Sequence, residues 1–597
     1  MDWIVCFTVS AAVLLVSIII AIMLGAGRYK SGRVFTPFHV VLGGVFISVF
    51  VCLLPIDRDI VADASNRILK TVIFSLLNTF EVFTIAADRE IILESINCPD
   101  GWFQAAYSLY LSVMFVTAPV LTFGFLVSFF KNVTAFGRYI LHYFSDAYVF
   151  SELNEKSLAL ARDMKHNHRR SVIVFTDVFN GNEEASCELM EQARELRAIC
   201  FKRDILAVNF RLHFSKAELL FFAIGEDETE NIDQSIKLIS MYKKRKHTRL
   251  FAFSTRVESE LLLTKAEKGY MKVRRVNEVR SLINRILLEE GHKLFDNAIP
   301  DESGRKKISA VIIGMGQHGT EMVKALSWYC QMDGYKIHID AFEKDVLAAD
   351  RFAASCPELM DEAYNGAAIP GEAEYSIRIH SGYDVTTKTF ADEIRRLGDT
   401  TYVLVSLGSD EMNIRTAVEL RMLFERMHIR PVIQAIVYST DEKHALAGIT
   451  NYRGQAYDID FIGDTAASYS EAVIINSELE EEALKRHLKW GQEEEFWQYE
   501  YNYQSSVASA IHMKARIACG IPGTDKREEE LTEEERERIE KLEHRRWNAY
   551  MRSEGYVYSG SHDKSTRNDL GKLHHDLVDY SSLDEDEKKK DSKVGAK

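Results

Sequence analysis

Residues Ile308-Ser309-Ala310-Val311-Ile312-Ile313 form an apolar run that passes directly into Gly314-Met315-Gly316-Gln317-His318-Gly319, and a helical pattern follows from Thr320 to Tyr329. The spacing is GxGxxG in a strand, turn and helix context. Each glycine has a task there: the first allows the tight turn, the second lets backbone approach a pyrophosphate, and the third lets helix and strand pack closely. The helix start then offers free N–H groups and a positive dipole end to a phosphate. Gln317 and His318, inside the turn, are ligand-contact candidates; His318 reads as a capping or contact residue rather than a base.

Working outward, a second strand, Lys336 to Phe342, ends at Glu343. A carboxylate there can accept both hydroxyls of a ribose, and Asp340 competes for that role. Farther on, Tyr402 to Leu407 is an apolar strand ending in Gly408-Ser409-Asp410-Glu411-Met412-Asn413. A helical pattern runs on to Phe424, and Val432 to Tyr438 is a further strand. This alternation predicts an α/β domain with a parallel, doubly wound sheet. The ligand set is Gly314, Gly316, Gln317, His318, Gly319, Glu343 and Gly408, and the ligand is NAD or another adenine nucleotide.

The plan occurs twice. Asp146 to Phe150, Glu155 to Met164, Ser171 to Phe175 ending at Asp177, and Leu219 to Ile224 ending at Gly225 repeat strand, helix, strand, strand. FFAIGEDETENIDQSIKLI (221–239) aligns with YVLVSLGSDEMNIRTAVEL (402–420): both carry Gly at the strand end, acids after it and Asn-Ile at the helix start. This is an internal repeat. The earlier copy has Ser151-Glu152-Leu153-Asn154 in place of glycines, so close pyrophosphate approach is not expected there.

Composition places these domains behind a membrane section. The chain has 597 residues, too many for one core, and a net charge of −15, which argues against a nucleic-acid-binding surface. Its eight cysteines show no zinc or disulfide spacing and are expected to be reduced. Apolar runs at 4–24, 38–54 and 103–130 have the length of membrane spans. Arg28, Lys30 and Arg33 in the first loop, with Lys131 and Arg138 after the third run, predict that these places are cytoplasmic. Three crossings of the plasma (inner) membrane then leave the N-terminus outside and everything after residue 131 in the cytoplasm. Lys131 to Ser145 reads as a short linker.

Between the second and third runs, Ile68 to Ala87 has apolar residues at helical spacing: Val72, Ile73, Leu76, Leu77, Phe80 and Phe83. A fourth full crossing would break the charge parity, so it reads as a re-entrant or outer-leaflet helix, half-buried over 68–87. This order of elements resembles a pore-loop channel. In place of the TVGYG-type filter stands Thr84-Ile85-Ala86-Ala87-Asp88, without the glycines, so the pore candidates are Glu81, Thr84, Asp88 and Glu90. A solvated helix end is the competing reading of those carboxylates.

From the motif at 314–319, the strand order and the position behind a membrane helix, residues 145–300 and 305–490 resemble paired TrkA-N/RCK domains, the regulatory Rossmann domains of potassium channels and transporters. The resemblance implies a homo-oligomer whose nucleotide-binding cytoplasmic domains act on the membrane helices. The C-terminal stretches LEHRRWNAYMRSEGYVYSG (542–560) and KLHHDLVDYSSLDEDEKKKD (572–591) carry a second resemblance, to the ryanodine-receptor (RyR) repeat. Trp547, Arg552, Gly555-Tyr556-Val557-Tyr558, His574, Leu577-Val578, Tyr580, Leu583 and Glu587 occupy its pattern; His575 and Tyr556 depart from it.

Residues 500–597 are therefore expected to form a mainly helical RyR-like module with a solvated, mobile tail. Its ligand candidates are Trp547, Arg552, Tyr556, Tyr558, His574 and Tyr580, with packing as the alternative role for most of the aromatics. The combination implies a multidomain, ligand-gated membrane effector of the kind found in bacterial nucleotide signalling or anti-phage defence. A housekeeping NAD(H)- or ATP-sensing regulator of ion transport and a membrane-anchored NAD-consuming enzyme are the alternatives. No catalytic set and no metal ligands stand out.

Overall fold

A computed structural model describes residues 3–26, 35–61, 66–97, 100–178, 183–367, 372–439, 441, 443, 446, 451–452, 454–475 and 477–595. The loop carrying Arg28, Lys30 and Arg33 lies outside the described residues. The chain divides into two compact units: Met1–Ser145 with Val174–Ser186 and Arg197–Phe214, and Asp146–Ile173 with Cys187–Leu196 and Ser215–Lys597.

The first unit holds three helices, Trp3–Ala26, Phe35–Ile60 and Gly101–Leu141. Within them Trp3–Ile22, Val40–Ile60 and Gly101–Phe123 are long and apolar enough to cross a bilayer. Trp3 packs edge-on to Tyr107, with ring centres 5.3 Å apart, and Ser10 Oγ lies 3.1 Å from Tyr110 Oη, so the first and third helices run the same way. Tyr107 Oη donates to the Cys52 carbonyl at 2.6 Å and Ser48 Oγ lies 2.9 Å from Tyr110 Oη, so the second runs against them.

A shorter helix, Arg67–Thr84, starts where the second ends, with Arg67 Nη2 donating to the Arg58 carbonyl at 3.3 Å. Its last turn packs on Phe46, through Phe80 at 5.3 Å and Phe83 at 5.5 Å between ring centres. The chain then turns back through a short helix, Arg89–Glu94, to Gly101 at the end it came from. Ile92 and Ile96 are buried on this return path.

This helix turns most of its apolar face outward. Of its apolar set only Phe83 is buried; Val72, Ile73, Leu76, Leu77 and Phe80 are exposed, while Thr71, Ser75 and Thr79 face inward. Ser75 Oγ donates to Asp57 Oδ2 at 2.7 Å and Asn78 Nδ2 to Asp57 Oδ1 at 2.6 Å. In hydrocarbon the apolar face needs no protein cover, and the polar face must find its partners inside. One difference from the sequence reading follows the third apolar helix. Lys131 to Leu141 is a continuation of the same helix, not a linker, because nothing from Lys131 to Leu141 breaks the helical backbone.

Two parallel sheets carry the rest. The first consists of β1 (Ala147–Phe150), β2 (Val172–Phe175), β3 (Ile199–Cys200), β4 (Leu219–Ala223), β5 (Thr248–Phe253) and β6 (Lys272–Val276), in the order β3-β2-β1-β4-β5-β6. A two-residue strand, β7 (Ile299–Pro300), pairs antiparallel with β8 (Lys306–Ile313). With β8 the second sheet takes β9 (Tyr335–Glu343), β10 (Tyr375–Ser381), β11 (Tyr402–Val405) and β12 (Val432–Ile436). A short hairpin of β13 (Asn451–Tyr452) and β14 (Gln455–Ala456) precedes its last strand, β15 (Ile459–Ile462), and the sheet order is β10-β9-β8-β11-β12-β15. Both orders are 3-2-1-4-5-6 when each sheet is counted from its own first strand, the doubly wound arrangement whose switch point lies between the first and fourth strands.

The repeat has a structural cause. Asn413 Oδ1 accepts from Leu407 N at 2.6 Å and its amide donates to the Ile436 carbonyl at 2.8 Å. Asn231 does the same in the first copy, with Gly225 N at 2.7 Å and the Phe253 carbonyl at 3.1 Å. Each asparagine is 0–1% exposed and ties two strand ends together. Asn413→Ala is expected to destabilise by about 1–3 kcal/mol for each buried group left unpaired, seen as a lower denaturation midpoint.

The second sheet does not end its core at the sheet. Helix Gln317–Tyr329 packs against helix Glu533–Ser553, where Trp328 meets Tyr550 at 6.2 Å, and one buried apolar cluster runs from β8 into the C-terminal helices.

Candidate functional site

At the glycine turn the three glycines differ in what they permit. Gly314 has φ +92°, and a Cβ there would lie 2.5 Å from the Ser406 carbonyl oxygen; a Cβ on Gly319 would lie 1.9 Å from the Gly314 oxygen. Both positions therefore exclude side chains for the sake of the fold. A Cβ on Gly316 would meet nothing within 4 Å, so the space above it is open to a ligand. Gly408, φ +80°, lies beyond the end of the neighbouring strand β11 and likewise borders open space. Gly314 and Gly408 thus bracket the switch point of the sheet.

Glu343 stands beside the turn. Its Oε2 accepts from Met315 N at 2.7 Å, while Oε1 accepts from Lys344 N and Asp345 N at 2.8 and 3.3 Å. Asp340, its competitor in the sequence, pairs with His380 Nε2 at 2.8 Å. Gln317 is exposed at the first helical position, and His318 Nδ1 lies 3.5 Å from Tyr438 Oη. Burial lowers the His318 pKa, which keeps its imidazole neutral near pH 7. In the first copy the corresponding space is filled by the chain itself: Glu152 Oε2 accepts from Glu226 N at 3.2 Å, and Asn154 Nδ2 donates to the Ile224 carbonyl at 2.8 Å.

The C-terminal module contains a cavity of about 330 Å3, near the low end of the range for small-molecule sites. Trp490, Tyr501 and Trp547 supply aromatic wall, and Arg486, Arg546, Lys564 and Arg567 supply cations. Beneath it three guanidinium groups crowd one carboxylate. Arg546 Nη2 reaches Glu543 Oε1 at 2.8 Å and Arg516 Nη2 reaches Glu543 Oε2 at 3.2 Å, while Arg486 donates to the Val594 carbonyl at 2.6 Å.

All three arginines are 0–2% exposed. Arg546 Nη1 and Arg516 Nε and Nη1 have no hydrogen-bond partner among the described residues, nor does Ser506 Oγ. Burial drives the pKa of Arg516 down to about 10 even with Glu543 opposing it. Burial would raise the Glu543 carboxyl, but Arg546 and Arg516 overcome that and hold it at about 2. A buried excess of guanidinium N–H groups beside aromatic faces suits an anionic, planar ligand, because an unpaired buried donor is costly and Arg binds phosphate in a bidentate manner.

Of the six ligand candidates taken from the RyR-like pattern, Trp547 and His574 line this cavity, with ring centres 4.9 Å apart. The other four lie elsewhere. Arg552 is buried, pairs with Glu372 at 3.1 Å and lies over the Tyr364 ring. Tyr556 packs on Tyr501, Tyr558 lies beside His562, and Tyr580 donates to Glu540 at 2.5 Å. His574, His575 and Asp576 are close enough to suggest a metal site, yet the two imidazoles stack at 9° and 4.8 Å. In-plane lone pairs of parallel rings do not converge on one ion, so this cluster is a poor metal centre.

Arg546, beside Arg545 and Arg552, was already a phosphate-binding candidate in the sequence; Arg486, Ser506 and Arg516, which lie outside the RyR-like stretch, were missed. The signal for Arg516 was a polar stripe at helical spacing on Glu500–Ala518, in which Asn502, Ser505, Ser509, His512 and Arg516 are all buried. The tail is not simply solvated: Glu585–Gly595 is a helix against Glu533–Ser553, with Ser592 and Gly595 buried and its acids paired with cations on the module.

The pore candidates are not gathered into one site in a single chain. Glu81, Thr84, Asp88 and Glu90 are all exposed; Thr84 Oγ1 donates to the Phe80 carbonyl at 3.0 Å, and Asp88 caps Arg89–Glu94. No protein-family model matches the chain, and a search of curated proteins finds no match.

Proposed function

We propose that this protein is a ligand-controlled membrane effector in which a nucleotide, held in the C-terminal cavity and at the glycine turn, governs the state of the membrane helices. The observation that carries the reading is the cavity itself: Arg486, Arg546, Lys564 and Arg567 line it together with Trp547 and Tyr501, a combination that pairs phosphate recognition with base stacking. The open space above Gly316 at the switch point supports a second adenine-nucleotide site, in a domain of TrkA-N/RCK type. On this reading the three spans cross the plasma membrane, the α/β domains and RyR-like module are cytoplasmic, and the chain assembles as a homo-oligomer.

The path to the membrane is physical within the first unit. The far end of helix Gly101–Leu141 is clasped by the segment Arg197–Phe214: Tyr139 Oη lies 2.9 Å from His213 Nδ1, His213 Nε2 lies 2.8 Å from the Ser145 carbonyl, and Phe214 N donates to the Tyr143 carbonyl at 3.2 Å. A shift of that segment is therefore transmitted to a continuous helix. Allosteric coupling of this kind is typically about 1–3 kcal/mol.

In liposomes carrying the purified protein, ATP or NAD at a concentration shown independently to saturate binding is expected to change ion flux. His213→Ala should retain nucleotide binding and lose most of the flux response. Absence of flux at verified saturation would remove the effector reading, and an unaltered response in His213→Ala would remove the clasp from the mechanism.

A further inference from the structure

The helix Glu585–Gly595 lies on the cavity and engages two of its cations, Arg486 and Lys564. The Val594 carbonyl accepts from Arg486 Nη1 at 2.6 Å and the Lys593 carbonyl from Lys489 Nζ at 2.9 Å. Glu587 pairs with Lys564 at 2.7 Å, and Asp591 faces His544 Nδ1 at 3.4 Å. Without this helix the cavity wall carries four cations, Arg486, Arg546, Lys564 and Arg567, against two carboxylates, Glu543 and Asp576. The helix thus supplies anionic and carbonyl oxygens to Arg486 and Lys564, along with one cation of its own, Lys590, which pairs with Glu587.

The way the helix is held is the second observation. Its sequence is EDEKKKDSKVG, and its buried residues are Glu587, Ser592 and Gly595, none of them a large apolar side chain. It is seated by ion pairs and carbonyl contacts, which are individually weak and screened by salt, and not by the apolar burial that fixes the neighbouring helices. Two of its contacts, those to Arg486 and Lys564, use groups that an anionic ligand needs, so a ligand that takes them weakens its seat.

We infer that helix Glu585–Gly595 is a built-in competitor for the cavity: the oxygens of an anionic ligand and those of the helix contend for the same cations, so binding frees the helix and loss of ligand seats it again. The inference rests on the cavity reading above for the ligand's nucleotide character, but on the charge pattern alone for the competition. It adds a regulatory consequence, since the freed segment and the filled cavity exist together only in the liganded protein.

Hydrogen exchange on the full-length protein in detergent tests this with two probes, ATP and inorganic pyrophosphate. Saturating anion is expected to speed exchange of amides 585–595 at least tenfold. The double variant Glu587→Gln, Asp591→Asn should exchange faster without any anion and bind the anion several-fold more tightly. Release by pyrophosphate with no ATP binding would defeat the nucleotide reading and leave the competition standing. Protection of 585–595 by either anion, release by neither, or unchanged affinity in the double variant would overturn the competition.

Discussion

Replacement of Glu543 by glutamine is expected to cost about 3–5 kcal/mol, the scale seen when one partner of a buried ion pair is removed and the other charge stays buried. Here one carboxylate answers Arg516 and Arg546, at 3.2 and 2.8 Å, with all three side chains 0–2% exposed. The amide keeps the shape and one acceptor but none of the charge. The check is a denaturation curve of the full-length protein in detergent, followed by tryptophan fluorescence.

The pH dependence has a definite sign. The Glu543 carboxyl is held at about 2 in the folded protein, against an ordinary value near 4.3 when unfolded. A depressed folded pKa contributes stability that is fully present above the unfolded value and is lost as pH falls through the folded one. The native protein should therefore lose stability between about pH 4.3 and pH 2, and the Gln variant should lack that part of the acid slope. An unchanged midpoint in Glu543→Gln would mean that the arginines relax to solvent and the cluster is not a fixed feature of the cavity.

The second large effect separates two glycines in one motif. Gly319→Val is expected to prevent folding of the second α/β domain, since even the first side-chain atom would sit 1.9 Å from a backbone oxygen that cannot move away. Gly316→Val should fold normally, because its Cβ meets nothing within 4 Å, yet it fills the space that a pyrophosphate needs. Circular dichroism and protease resistance should match the native protein for Gly316→Val and not for Gly319→Val, while binding of ATP or NAD at the turn is lost in both. A Gly316→Val protein that binds every nucleotide with native affinity would remove the turn from the ligand sites.

Much of the fold was legible in advance because it depends on local patterns. The run 308–313 entering three glycines, the strands ending at Glu343 and Gly408, and the paired segments 221–239 and 402–420 all read correctly as strands and helices of two parallel sheets. The strands passed over include β3, β5 and β15 as well as two of mixed composition, β6 (KVRRV) and β10 (YSIRIHS), whose polar residues find partners on neighbouring elements. Arg275, for example, is satisfied by Glu500, far away in the chain.

What the sequence by itself determined was periodicity, and periodicity says that a helix has two faces without saying which one is inside. The helix Arg67–Thr84 has an apolar face, and that face is left outward because its polar face is needed by Asp57. The helix Glu500–Ala518 has a polar stripe, and that stripe is buried because Glu543 and the cavity lie against it. In both, the solvent on each side of the helix decides the sign. That is a property of the assembled structure: whether a polar side chain meets water, hydrocarbon or another polar group depends on residues distant in sequence, and only the tertiary fold brings them together.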